Sequence, residues 1–118
     1  MTLAERVRAA AAKGRRLAEA FPGATKADDL PWKVIEAFDS DVRPNVERDR
    51  RIEDERDRVL IASVILAESD GDDVATARQH LVGAIDYLEE SVLRFGRVNQ
   101  AATRLGYGQV GDRLSKGQ

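Results

Sequence analysis

Carboxylates spaced three residues apart are the first side chains in this chain that could do chemistry. Asp54 and Asp57 form one such set, and Asp86 and Glu89 form another. Two sets of this kind can hold magnesium for phosphate chemistry when they face each other from neighbouring helices. Here the first set belongs to a run of self-paired charges, and the second lies opposite the apolar stripe of its helix. The sequence therefore predicts no magnesium site, and we expect no enzyme activity and no cofactor.

The histidine and serine residues also lack the neighbouring groups that a catalytic or metal site would need. His80 is the single histidine. It borders an apolar stripe, and a metal site would need further ligands beside it. Ser63 lies in an apolar run and Ser91 on a packing stripe, where small size explains each of them. The chain has no cysteine, which excludes disulfides and cysteine nucleophiles. We therefore predict no catalytic residue and no metal ligand.

A basic cluster near the C-terminus supports a more specific binding hypothesis. Arg94, Arg97 and Arg104 follow one another near the end of the last predicted helix, and Tyr107 lies just beyond. Arginine beside an aromatic ring suits a phosphate and a stacked base, so these residues could bind an anionic nucleotide. The alternative is a solvated basic face that complements the negative end of the helix dipole.

Two short pieces of the chain, 77–81 and 88–91, resemble helical hairpins of small phage proteins that sequester cyclic-nucleotide signals. The likeness implies an oligomer with a bound nucleotide. It covers a small part of the chain and carries no diagnostic motif, so no family is assigned. Residues 100–106 also resemble the first half of a helix-turn-helix. Gly108 and Asp112 fit a recognition helix poorly, so DNA binding is the weaker alternative.

Charge is distributed unevenly along the 118 residues, although the net charge is only -2. Residues 1–33 carry a net charge of +3, residues 34–93 carry -9, and residues 94–118 carry +4. We interpret this pattern as segments that complement one another within a bundle or between subunits. A basic patch where the two ends meet is the alternative.

Composition also bears on where the protein works. No segment has the roughly 20 apolar residues needed to cross a bilayer. The first residues mix acid and base without the apolar core of a signal peptide. We therefore expect a cytoplasmic protein without membrane contact. The 15 Arg against 4 Lys favour a high-GC genome, such as that of an actinobacterium or one of its phages.

Hydrophobic periodicity predicts four helices and therefore an all-α fold. The first helix should begin at a capping box made by Thr2 and Glu5, and should end before Pro22. Its apolar stripe is small at Ala10 and Gly14, which allows another helix to approach closely there.

The second and fourth helices differ in length. A short second helix is expected from Asp29 to Phe38, with Trp32 covering the core. The fourth helix should run from Val74 to Leu105 along an apolar heptad stripe, a length of about 48 Å. Residues 1–106 are then a single helical domain, and residues 107–118 a Gly-rich basic tail.

The third predicted helix, from about residue 43 to residue 69, changes character half-way. Residues 47–58 are charged at eleven of twelve positions, and residues 59–67 carry no charge. Charge pairs four residues apart should stabilise the charged half, which we expect to be exposed to solvent. These pairs are Glu47–Arg51, Arg50–Asp54, Arg51–Glu55 and Asp54–Arg58. The other half has more apolar sides than one partner helix can cover, which predicts burial by the first helix or by a second subunit.

Together these features predict a small helical bundle built on a long antiparallel hairpin of the third and fourth helices, in a homo-oligomer. The predicted self-association residues are Val59, Leu60, Ile61, Val64, Ile65, Leu66, Leu88 and Phe95. The leading hypothesis is a non-enzymatic interaction or adaptor protein with a protein partner, such as a phage-encoded regulator, a host-takeover factor or a virion component. An oligomer that sequesters a cyclic nucleotide is the alternative.

Overall fold

A computed structural model of the chain describes residues 1–23 and 29–100. Within these ranges the chain folds into four α-helices and contains no β-strand, as predicted. The helices are α1 (Leu3–Ala20), α2 (Leu30–Ala37), α3 (Arg50–Ala67) and α4 (Asp73–Phe95). A π-helix (Phe38–Val42) and a 3-10 helix (Arg43–Asn45) connect α2 to α3. In the same ranges, no helix is both long enough and apolar enough to cross a bilayer.

The predicted capping box at the start of α1 is present. The backbone N–H of Glu5 donates to the Thr2 hydroxyl, with an N···O distance of 3.1 Å. The Glu5 carboxylate in turn accepts from the Thr2 backbone N–H at 2.7 Å. This exchange satisfies two backbone donors that a helix start would otherwise leave without partners.

The four helices pack in a ring, in which α1 and α3 each contact both α2 and α4. Contacts between α1 and α4 show that these two helices run antiparallel. Arg15 on α1 reaches Asp86, whereas Ala18, one turn later, accepts a hydrogen bond from Arg78. The enclosed core is mainly aliphatic, with Phe21 and Phe38 also buried. Its most deeply buried large side chains include Val7, Ile35, Ile52, Val59, Leu66, Leu81 and Val92.

Helix α1 comes close to its neighbours at Gly14, as the small size of this residue predicts. A Cβ atom at this position would lie 3.2 Å from Ile85 Cδ1 and 3.6 Å from the carbonyl oxygen of Val34. One glycine thus lets α1 pack tightly against both α4 and α2.

Helix α3 begins at Arg50, several residues later than predicted. Residues 46–49 are not helical, and Asp49 caps α3 by accepting a hydrogen bond from the Arg51 backbone N–H at 2.8 Å. Aspartate is among the best N-cap residues, so the helix starts where this cap is available.

Helix α4 ends at Phe95, so the prediction that it continues to Leu105 is wrong. Gly96 adopts an extended conformation with φ -67° and ψ 133°. Val98 then forms an isolated antiparallel bridge with Val46, flanked by a hydrogen bond of 2.7 Å from Glu47 N–H to the Arg97 carbonyl. Pairing with the segment before α3 therefore interrupts the predicted helix at residues 96–99. The predicted tail, residues 107–118, lies outside the described residues.

Trp32 does not cover the core, in contrast to its predicted place. Its side chain is 64% exposed, whereas Leu30, Val34 and Ile35 of the same helix are buried. The aliphatic residues of α2 fill the core-facing positions, and the larger indole lies on the outer face.

Candidate functional site

The charged half of α3 is attached to the rest of the chain rather than standing alone in water. The Arg56 side chain is only 14% exposed, and its guanidinium contacts the Asp39 carboxylate of the π-helix at 2.7 Å. This hydrogen bond raises the pKa of Arg56. Arg43 makes a second link to α3, at 2.6 Å from Glu53. The segment between α2 and α3 therefore supplies the charges that pair with this half.

None of the four predicted charge pairs forms, although all of their residues are described. Glu47 precedes the helix and so cannot pair along it. Arg51 instead binds the cap residue Asp49 at 2.8 Å, and its guanidinium lies 3.7 Å from the centre of the Phe95 ring. The hydrogen bond from the Arg51 side chain lowers the pKa of Asp49 to about 2. Arg51 thus joins the cap of α3 to the end of α4.

The apolar half of α3 is only partly covered by its own chain. Val59 and Leu66 are fully buried, yet Ile61 is 59%, Val64 39% and Ile65 52% exposed. These three exposed residues follow one another at helical spacing and form one face, named here the α3 patch. Helix α1 does not cover this face, because α1 contacts α2 and α4 on the other side of the ring.

Most of the predicted self-association residues are buried or partly buried within the chain. Val59, Leu66 and Leu88 lie in the core of the chain itself. Leu60 and Phe95 are partly buried against that core. Of the eight predicted residues, only the three of the α3 patch are exposed.

Exposed aromatic residues lie on both helices that flank α3. Tyr87 on α4 is 63% exposed, and Trp32 lies on α2. The indole of Trp32 is 64% exposed.

Arginines contact three of the four carboxylates that were considered for metal binding. Arg15 binds Asp86 at 2.8 Å and Glu89 at 3.2 Å, and Asp57 contacts Arg56. Glu89 is half-buried between α1 and α4 rather than facing solvent, as its set was predicted to do. Within residues 1–23 and 29–100, no cluster of three or more acidic or histidine residues could hold a metal ion.

The predicted nucleotide-binding residues are only partly within the described chain. Arg94 is exposed and pairs with Glu90 at 3.1 Å. Arg97 is exposed, and its backbone carbonyl belongs to the bridge with the segment before α3. Arg104 and Tyr107 lie outside the described residues, so nucleotide binding by these four residues stays a prediction.

The interior offers no room for an organic ligand in the described part of the chain. A cavity of about 20 Å³ lies between the helices, lined mainly by aliphatic residues with Gly14 and Ile85 among them. This volume is close to that of a single water. A groove between α1 and the π-helix is larger, but its charged walls, Lys13 with Arg16 and Glu36 with Asp41, are exposed to solvent.

No protein-family model, curated protein or solved structure matches this chain. The functional conclusion therefore depends on the surface that the fold leaves open.

Proposed function

We propose that this chain is a non-enzymatic, all-α interaction protein that associates with further copies of itself through the α3 patch. The observation that carries the proposal is the exposure of Ile61, Val64 and Ile65 on one face of a helix whose opposite face is fully buried. A contiguous exposed apolar face of this kind marks an interaction surface.

Burial of the patch would contribute favourably to association. Complete burial of one aliphatic side chain contributes about 1.5–3 kcal/mol. Each copy brings three such side chains, of which two are more than half exposed. The gain from both copies therefore amounts to several kcal/mol, before the cost of association is subtracted.

A second copy is the occupant that suits this surface best. Arg58 precedes the patch and Glu68 follows it, and both side chains are exposed. A surface with opposite charges at its two ends is complementary to a reversed copy of itself.

The proposal includes the long antiparallel hairpin of α3 and α4 as the scaffold that presents the patch. The contact between Arg51 and Phe95 joins the start of α3 to the end of α4, and a short turn joins their other ends. Gly71 adopts a positive φ of 58° in that turn.

Sedimentation equilibrium over a range of protein concentrations tests the proposal. We expect the wild type to associate, and a variant with Ile61→Ser and Ile65→Ser to sediment as a monomer. Leu93→Ser is the matched control, because Leu93 is an exposed aliphatic residue of α4 outside the patch. Circular dichroism confirms that each variant folds. A wild type that is monomeric at every concentration would overturn the proposal.

A further inference from the structure

Four exposed residues form a stripe along the outer face of α3. Their spacing is symmetric about the centre of the stripe, with opposite charges at the two ends. Arg58, Ile61, Ile65 and Glu68 are spaced by three, four and three residues. This is the heptad spacing by which one helix presents a continuous seam to another. All four side chains are exposed. The stripe therefore carries a cation, two aliphatic residues and an anion, in that order.

The stripe is complementary to a second copy of itself that runs in the opposite direction. When two α3 helices lie antiparallel with a two-fold axis at the level of Ser63, residues that are equidistant from the axis face each other. Ile61 then packs against Ile65 of the other copy, and Arg58 faces Glu68 of the other copy. We infer that two copies of the chain form a closed, two-fold dimer in this register, an inference that rests on the proposed self-association through the α3 patch.

The charges select this arrangement over its parallel alternative. Parallel packing would place Arg58 beside Arg58 and Glu68 beside Glu68 of the other copy, and like charges in contact disfavour a complex. The antiparallel arrangement forms two opposite-charge pairs, one at each end of the aliphatic centre.

The local partners of Arg58 leave it available for this contact. Arg58 lies 3.2 Å from Glu55 in the same helix, in an exposed pair. A guanidinium has five N–H donors and can bind a second carboxylate. Asp57, the acidic neighbour of Arg58, already contacts Arg56 at 3.4 Å. Beyond Glu68, α3 has ended and the chain turns towards α4, so the acidic turn leaves the seam.

The register also determines the stoichiometry. In an isologous interface both copies use the same surface, so no copy of that surface stays free after the first contact. Assembly through the stripe therefore stops at two chains rather than continuing into a filament.

A charge reversal tests the register by sedimentation equilibrium. We expect Arg58→Glu and Glu68→Arg each to weaken dimerisation by roughly 10-fold or more, because each reversal acts twice in a symmetric dimer. The variant with both reversals should dimerise within a few-fold of the wild type. Arg16→Glu is the control, since it makes the same charge change at an exposed position on α1 and should leave the dimer unchanged.

Disulfide cross-linking gives a second measurement that does not depend on charge. The chain has no cysteine of its own. In an oxidised mixture of Arg58→Cys and Glu68→Cys chains, the antiparallel register predicts covalent heterodimers in excess over either homodimer. Parallel packing predicts the two homodimers instead.

The outcomes separate this inference from the proposed function. If the Ile61→Ser, Ile65→Ser variant loses the dimer, but the double charge reversal dimerises no better than the single reversals, the register is overturned and the self-association stands. Cysteine homodimers in place of heterodimers would have the same meaning. A wild-type chain that stays monomeric overturns both.

Discussion

Arg78 on α4 donates a hydrogen bond of 2.6 Å to the carbonyl oxygen of Phe21, just beyond the end of α1. Its Nε also donates to the Ala18 carbonyl at 3.1 Å. The last turn of α1 contains no basic residue. Helix C-termini leave carbonyl oxygens without partners and attract positive charge. Helix α4 thus supplies the cationic cap that α1 lacks, and this contact joins two elements that are far apart in sequence.

Replacement of Arg78 should therefore destabilise the fold. We expect Arg78→Met, which keeps most of the apolar stem, to lower the free energy of unfolding by about 1.5–3 kcal/mol, because two hydrogen bonds to a charged group are lost. Urea denaturation measures the change. Arg16→Met, at an exposed position of α1, should stay within about 0.5 kcal/mol of the wild type. Equal effects of the two substitutions would contradict the capping role.

Gly14 and Gly83 should both tolerate alanine, for different reasons. A Cβ at Gly83 meets no atom within 4 Å, so Gly83→Ala should raise the free energy of unfolding by about 1 kcal/mol through helix propensity. At Gly14 the nearest atom, 3.2 Å away, is the end of the Ile85 side chain, which borders the interior cavity and can move into it. We expect Gly14→Ala to stabilise by about 0.5–1 kcal/mol, slightly less than at Gly83. Thermal and urea unfolding compare the two, and a destabilised Gly14→Ala chain would show that Ile85 has no room.

Gly96 should not tolerate alanine. A Cβ at this position would lie 2.5 Å from the Val92 carbonyl oxygen, a backbone atom that cannot rotate away. We expect Gly96→Ala to lower the free energy of unfolding by about 1–3 kcal/mol, in the range of strained or overpacked sites. Amide hydrogen exchange at Glu47 and Asn99, whose N–H groups donate across the bridge, should accelerate with it. Unchanged exchange would mean that the bridge does not depend on this glycine.

Acid should weaken the cap of α3 within a defined pH window. The pKa of Asp49 is lowered from 3.8 to about 2 in the folded chain, first by the hydrogen bond from the Arg51 side chain. Its contribution to stability is therefore fully present above pH 3.8 and is lost as the pH falls through 2. Between pH 4 and pH 2 the urea midpoint of Asp49→Asn should fall less steeply than that of the wild type.

Asp54→Asn is the control for this acid dependence. Asp54 is an exposed carboxylate of the same helix and has no ion-pair partner among the described residues. Its variant should follow the wild-type slope. A matching slope for Asp49→Asn would mean that the cap does not titrate in this window.

Local signals in the sequence predicted much of the fold. The capping box of Thr2 and Glu5 depends on residues a few positions apart, and the close approach at Gly14 depends on one residue's size. Such features are encoded within one or two helical turns, and the structure confirms them.

Long-range pairing explains the features that the sequence did not predict. The heptad stripe continues past Phe95, but the backbone partner that ends α4 is Val46, about fifty residues earlier. In the same way, Arg56 pairs with Asp39 rather than along its own helix. Self-association through residues 59–67 stays a prediction. The apolar run at residues 59–67 indicated an interface, but only the packing of α2 and α4 decides which of its residues stay outside.

The bridge between Val46 and Val98 fixes the position at which the chain continues beyond Gln100. It holds that point next to the start of α3, at the opposite end of the helix from Glu68. In a two-fold dimer with its axis at Ser63, the two departure points would lie about 40 Å apart, at 1.5 Å for each helical residue. The pair of helices would then act as a spacer with a defined span.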